Sequence, residues 1–436
     1  MVCQATYTKE REMAAIHTAT PSSQRRGPEP PAAAFLRIRA ATLAICEPLA
    51  PEDCVAQSMT EASPIKWHLA HTSWFFEQFI LRKTAPGYRI FHPRFEYLFN
   101  SYYQSVGRMH ERPRRGLLTR PTLDEVLKYR RHVDIHMREL LEARAEDEAL
   151  AALVTLGLNH EQQHQELMFT DIKHLFSCNP LQPAYRERAI EDSPPAEPMR
   201  FIPFDGGVRE IGATGKHFCF DNETPRHRVY VEPYAFADRL VTNGEYQEFI
   251  RDGGYRRHEF WLSDGWDLVQ REQWSRPLYW TPALDCEFTL AGVRPLNSAA
   301  PVAHLSYYEA DALARWAGAR LPTEAEWELA AEAEPIAGNM LDRGALHPQR
   351  HEDQPGLRQV FGDLWEWTAS PYGAYPGYRP TAGALGEYNG KFMCNQFVLR
   401  GGSCVTPPDH IRGSYRNFFY APARWQFTGV RLARDL

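Results

Sequence analysis

Apolar positions in the first 176 residues recur at helical spacing. From Ala32 to about Phe176 the chain reads as helices, and Leu123–Leu150 is a run rich in Leu, Glu, Arg, Ala and Lys with few breakers. The aromatic stretch Ile65–Leu81 is compatible with a helix, and one long irregular connection is expected near Lys83–Pro121. The pattern predicts a small helical bundle over residues 32–178, preceded by a polar, Pro-bearing tail over 1–31. Prolines 180, 183, 194, 195 and 198 cannot continue a helix, so 179–200 reads as a linker. Beyond it, over 201–436, short strand-like runs such as His227–Phe236 and Phe397–Ser403 alternate with turns rich in Gly, Pro and Asn. Ser306-Tyr-Tyr-Glu309 and Thr323-Glu-Ala-Glu326 have the form of capping boxes, each opening a short helix. The expected fold class is α+β with two domains, a helical bundle followed by an irregular, Trp-rich mixed domain.

Two histidines fall in register with the apolar pattern of the bundle. Leu153, Leu156, His160, His164, Leu167 and Leu175 stand three, four or eight apart, one helical stripe expected to face the bundle interior. Imidazoles at i and i+4 share a face and can hold one metal ion. Two buried rings also need partners; core histidines bonded to other side chains are the plain alternative. A third ligand must come from another helix. His68 and His71 are candidates, with His110, His132, His136 and His174 behind them, and spacing does not choose among them. His160-Glu161-Gln162-Gln163-His164 also matches the zinc-protease pattern, in which Glu161 would be a general base. The extended form of that pattern needs His where Thr170 stands, and a more distant ligand would be Glu187 or Glu191. An all-His site with open positions suits Fe(II), for oxygen chemistry, or Zn(II), for hydrolysis.

Composition narrows the partners. The 436 residues allow two or three domains, and 43% hydrophobic with 24% charged residues is a globular balance. The formal charge, 49 − 55 = −6, gives no basic field for nucleic acid or an anionic membrane. No apolar stretch is long enough to span a bilayer, and the N-terminus lacks a signal-peptide core. The expected location is therefore cytoplasmic, and in a reducing cytosol the eight scattered cysteines, without a CxxC, read as mostly free thiols.

The second half resembles the formylglycine-generating-enzyme-like domain, a C-type-lectin-like fold. The resemblance rests on Pro301-Val-Ala-His-Leu-Ser306, Arg315-Trp-Ala-Gly-Ala-Arg-Leu-Pro-Thr-Glu-Ala-Glu-Trp-Glu328, Gly362-Asp-Leu-Trp-Glu-Trp367, Arg400-Gly-Gly-Ser403 and Gly429-Val-Arg-Leu432. The enzymes that make formylglycine hold copper with a cysteine pair near the C-terminus. Here Cys404 is the last cysteine, so that pair is absent. The first half resembles a DinB-like four-helix bundle through Trp67-His-Leu-Ala-His71 and His160-Glu-Gln-Gln-His164-Gln-Glu166. In this order the two resemble the ergothioneine-biosynthesis sulfoxide synthases. These are non-haem iron enzymes that use O2 to join a cysteine sulfur to C2 of hercynine, the trimethylated histidine.

That resemblance implies Fe(II) held by His71, His160 and His164. The run Phe99-Asn-Ser-Tyr102-Tyr103 through Arg112-Pro-Arg-Arg115-Gly resembles the branch that uses free L-cysteine instead of γ-glutamylcysteine. It implies Tyr102 or Tyr103 as the acid near iron and Arg112 and Arg115 as the clamp on the cysteine carboxylate. The stretch Ser414-Tyr-Arg-Asn417-Phe418-Phe419-Tyr420 resembles the hercynine-binding segment and implies Asn417, Phe418 and Phe419 around the trimethylammonium. A quaternary ammonium donates no hydrogen bond, so aromatic faces and amide oxygens are its natural partners. Gln163, about 100° around the helix from His164, is placed to address the imidazole. The implied small-molecule partners are hercynine, L-cysteine and O2, and a homo-oligomer is left open. Related readings are an ovothiol-type synthase acting on histidine and a selenoneine-type synthase taking a selenosugar. A lectin-like binding protein with a structural His cluster is the non-enzymatic alternative.

Overall fold

The computed structural model describes residues 29–189, 194–351 and 355–436; the expected tail up to residue 28, and Glu191, lie outside the described residues. Four helices build the first domain: α1 (Pro31–Cys46), α2 (Ile65–Phe76), α3 (Leu123–Ala143) and α4 (Glu148–Cys178). Helix α2 continues through a wide π turn at Glu77–Leu81 to Thr84. The single run expected over Leu123–Leu150 is two helices. Asp147 makes the break: its carboxylate caps α4 by accepting the Leu150 N–H at 2.9 Å. Thr122 opens α3 with a capping box to Glu125.

Val154, Leu158, Glu161, Gln165, Met168 and Ile172 form one buried line of α4. His160 and His164 are buried against the α2 rings of His71, Phe75 and Trp67 and also line the cleft shared with the second domain, while Leu153, Leu156, Leu167 and Leu175 are half-buried. Gly157 explains the packing. A Cβ there would lie 2.7 Å from the Phe76 ring and 2.9 Å from that of Phe75, so glycine lets α4 close on α2. One turn later His160 arrives beside His71.

The bundle interior carries a buried ion cluster. Glu161 accepts from Arg130 Nη2 at 2.6 Å, Arg39 Nη1 at 3.0 Å and Thr42 Oγ1 at 2.6 Å. Burial alone would raise the Glu161 carboxyl, but Arg130 and Arg39 outweigh it and hold it at about 2. Facing these arginines, Glu161 is turned away from the histidines and serves no protease-like base role.

In the second domain, Asn417–Tyr420, Gln396–Arg400, Trp365–Pro371 and Thr428–Gly429 form a four-stranded sheet in that spatial order. Phe201–Phe204, Tyr234–Ala237 and Ala433–Asp435 form a three-stranded sheet. Both expected capping boxes open helices, at Tyr307–Trp316 and Glu324–Ala331. A fully buried pair, Arg431 Nε to Glu366 Oε2 at 2.9 Å, crosses this core. The fold is thus α+β, an all-helical first domain followed by a second domain that mixes short helices with antiparallel-rich sheets.

Helix α4 is also the seam. Glu166 accepts from Trp365 Nε1 at 2.5 Å, Thr406 Oγ1 at 2.7 Å and Ser403 Oγ at 3.1 Å. Asn159 Oδ1 lies 3.0 Å from His410 Nδ1. Lys173 donates to His304 Nε2 at 2.7 Å, boxed by the Tyr279 and Phe427 rings, and burial lowers this ammonium to about 8. Among the described residues no helix is long and apolar enough to cross a membrane, and the seven described cysteines are free.

Removing one partner from a buried ion cluster leaves unpaired charge and costs about 3–5 kcal/mol. Glu161→Ala is therefore expected to lower the urea midpoint sharply, measured by far-UV circular dichroism. Because the Glu161 carboxyl is depressed below its ordinary value of 4.5, the parent's contribution from it is complete above that pH. It is lost as the pH falls towards 2, and the Ala variant should lack this acid-dependent component.

Candidate metal centre and the cleft around it

His71 from α2 and His160 and His164 from α4 form a buried triad whose ligand atoms all lie within 4.8 Å of one another. His71 Nε2 and His160 Nε2 approach to 3.2 Å. The structure separates the two candidates on α2. His71 joins the triad, whereas His68 stands behind it, with Nδ1 2.8 Å from His164 Nδ1 and Nε2 3.0 Å from Asp171 Oδ2. The other candidates are elsewhere: His110 meets the Arg114 carbonyl, His132 the Arg89 carbonyl, His136 the His132 carbonyl and His174 the Ser58 hydroxyl. Glu187 lines a different cavity.

Burial depresses all three ring pKa values. It takes His71 and His164 well below 6.5, helped by the neighbouring imidazoles, and His160 to about 4 although Glu161 pulls the other way. At neutral pH the triad therefore offers three uncharged imidazoles, the form that ligates metals. Three convergent nitrogen donors with a cleft on one side fit a divalent transition metal with positions left for substrates.

The loop after Phe99 forms one wall. The Phe99 carbonyl accepts from His71 Nδ1 at 2.6 Å. Tyr102 and Tyr103 follow directly, and both line the cleft with Arg112 and Arg115. Tyr102 takes a left-handed φ of 70°, unusual for a non-glycine residue. Its hydroxyl accepts from Arg112 Nη1 at 2.9 Å. Tyr103 is buried against Trp74 and Phe79, and burial pushes its phenol well above 10. Glu387 of the second domain pins this loop, accepting from the Gln104 N–H at 2.7 Å and the Ser105 N–H at 3.1 Å, and Lys391 bonds the Tyr102 carbonyl.

Arg115 is 4% exposed and has no carboxylate partner among the described residues. Its Nη1 donates to Ser63 Oγ at 2.8 Å and its Nη2 to Ser101 Oγ at 3.0 Å, and its guanidinium lies 3.4 Å over the Trp67 ring. Burial lowers it to about 9, so it stays cationic at neutral pH.

The opposite wall belongs to the second domain. Asn417, Phe418 and Phe419 lie on the edge strand of the four-stranded sheet and line the cleft. Strand alternation puts Phe418 on one face, stacked 4.1 Å from Tyr372, and Phe419 on the other, near Trp425. Gln163 reaches across and donates to the Tyr415 hydroxyl at 2.8 Å. Sequence reasoning missed Trp67 as the plate between His71 and Arg115, although its place one helical turn before His71, at i and i+4, was a signal. It also missed Tyr388, Asn389 and Phe392, which come from the short helix Glu387–Gly390 and the turn after it, with no motif spacing.

Comparison with known proteins agrees with this architecture. Residues 187–353 and 344–436 match the sulfatase-modifying factor enzyme 1-like domain, and residues 34–168 match the DinB superfamily. A hercynine oxygenase of Mycobacterium tuberculosis is 32% identical over 433 residues, covering 94% of this chain and 99% of that protein. A hercynine oxygenase of Mycolicibacterium thermoresistibile is 31% identical, covering 86% and 88%. A formylglycine-generating enzyme of Streptomyces coelicolor is 29% identical over 57% of this chain and 94% of that enzyme. In this chain the final cysteine, Cys404, is buried and unpaired. The fused pair of domains and the near full-length similarity make the chain an oxygenase, and it belongs to the hercynine oxygenase family, the sulfoxide synthases of ergothioneine biosynthesis.

Proposed function

We propose that this enzyme is Fe(II)-dependent and joins the sulfur of free L-cysteine to C2 of hercynine, giving a hercynyl-cysteine sulfoxide. The step balances as thiol plus ring C–H plus O2. One oxygen atom ends on sulfur, and the other leaves as water with the thiol and ring hydrogens. The observation that carries the donor assignment is Arg115, a buried cation on the cleft wall with no carboxylate partner among the described residues. A carboxylate matches its planar fork, and the amino acid it orients would lie beside the triad. His71, His160 and His164 would hold the iron, which when bound supplies the redox chemistry that lets O2 react with a thiol.

The remaining groups do positioning and proton work. Asn417, Phe418 and Phe419 offer an amide oxygen and ring faces to a permanent cation, at about 0.5–2 kcal/mol per face. Histidine would bring a hydrated ammonium with three N–H donors, for which the Asn417 amide oxygen and two ring faces replace only part of the lost hydration, which favours hercynine over the ovothiol-type acceptor. Gln163 faces the imidazole. Tyr102 accepts from Arg112, which leaves its own proton free to be donated towards the reacting oxygen, and Tyr103 lies beside it. The free thiols agree with a reducing cytoplasmic setting.

The direct test is anaerobic Fe(II) loading, then O2, cysteine and hercynine, with mass spectrometry of the product. One iron per chain and sulfoxide are expected, with little product when histidine replaces hercynine. Alanine at His71, His160 or His164 should abolish most iron binding, and full iron retention by His160→Ala would remove the site.

Tyr102→Phe and Tyr103→Phe separate the phenols. The variant lacking the acid should make less sulfoxide while direct oxidation of cysteine persists or rises. Parental sulfoxide rates in both variants and in the double variant would refute a phenol acid.

Losing a charge-assisted pair costs roughly 1.5–3 kcal/mol. Arg115→Lys should thus raise the cysteine KM about ten- to a hundredfold with a smaller change for hercynine. A higher kcat/KM for γ-glutamylcysteine than for cysteine in the parent would overturn the donor assignment.

A further inference from the structure

The three triad histidines differ in what stands behind them. His71 has its Nδ1–H on the Phe99 carbonyl, 2.6 Å away. His160 Nδ1 is buried with no hydrogen-bond partner, its ring 4.8 Å from that of Phe75. His164 alone is backed by a second imidazole and a carboxylate, His68 and Asp171, both buried.

This chain of contacts has one consistent proton arrangement with His68 neutral. A carboxylate only accepts, so the His68 nitrogen 3.0 Å from Asp171 Oδ2, Nε2, carries the hydrogen. His68 Nδ1 then holds a lone pair. Two lone pairs facing at 2.8 Å would repel, so His164 Nδ1 must be the donor between them. His164 Nε2 is left as a bare donor atom for the triad. Asp171 is itself held, accepting the Ser63 N–H at 2.8 Å. The proton on His164 is thereby placed by a carboxylate on the same helix, acting across the single ring of His68.

We propose that His68 and Asp171 are positioning residues that fix the tautomer of His164 and make it the strongest donor of the metal site. This rests on the reading of the triad as a metal centre. Partners of this kind orient a ligand ring and raise its basicity, and their loss typically lowers metal affinity 10–100-fold. His160, with no such backing, is the weakest of the three. The competing account is that His68 and Asp171 merely tie α2 to α4, which would appear in the stability of the metal-free protein and not in its metal affinity.

The test is Co(II) titration of the full-length metal-free protein, followed by the visible d–d absorption, together with the unfolding temperature before metal is added. Asp171→Asn removes the charge but keeps an oxygen that can accept from both His68 and Ser63. It should weaken Co(II) binding about tenfold at an unchanged metal-free unfolding temperature. His68→Ala should weaken it about a hundredfold, and His68→Gln, whose amide oxygen can accept from His164, should recover part of that. Parental affinity in Asp171→Asn and His68→Ala, or equal loss in His68→Ala and His68→Gln, would overturn the proposal. So would a loss of affinity in Asp171→Asn matched by a fall in metal-free stability. His164→Ala is the control: if it binds Co(II) like the parent, the metal centre itself is wrong, whereas loss there with parental Asp171→Asn refutes only the role of the pair.

Discussion

Helix α4 buries Asn159, His160, Glu161, Gln162, His164, Gln165, Asp171 and Lys173 within 15 residues, and each of these groups has to be satisfied away from water. An unmet buried polar group costs about 1–3 kcal/mol, and a charge more. Two sets of partners come from opposite directions. Arg39, Arg130 and Thr42 meet Glu161 inside the bundle, while Asp409, His410 and His304 meet Gln162, Asn159 and Lys173 from the second domain. Turning α4 by one residue, about 100°, would break both sets together. The third face, with His160 and His164, is consequently held in orientation before any ligand arrives, which is the pre-organisation a metal site requires.

The cleft is a product of the same arrangement. Its floor is α4, one wall is the loop after Phe99, and the other is the edge strand Asn417–Tyr420. The loop links two tasks, because the residue whose carbonyl sets the His71 ring is followed three and four positions later by the two phenols. A left-handed backbone at Tyr102 is unfavourable alone, and ties to Arg112, Glu387 and Lys391 keep it in place.

Patterns confined to one helix or turn were legible in the sequence. The i, i+4 histidines, the two capping boxes of the second domain and the helix end before the prolines need only local geometry. The second buried line of α4, Val154 to Ile172, was not legible because Glu161 and Gln165 interrupt its apolar pattern. Where α4 crosses α2 depends on Gly157 meeting Phe75 and Phe76, a contact between distant segments. The same crossing decides between His68 and His71, both buried on α2. The break between α3 and α4 was hidden because Asp147 reads as an ordinary helix-surface residue until its cap is seen. The roles of the phenols and arginines came from family resemblance, since spacing alone does not distinguish a cleft arginine from a solvated one.

The tie between Glu387 and the phenol loop joins residues 283 positions apart. Chains are made at about 5–20 residues per second and fold from the N-terminus, so the clasp is synthesised about 15–60 seconds after the loop it holds. During that interval the histidine triad can form on the growing chain while the wall that covers it does not yet exist. Vectorial synthesis thus orders assembly: the metal-binding face stands open to its surroundings first, and the selective pocket is closed over it last.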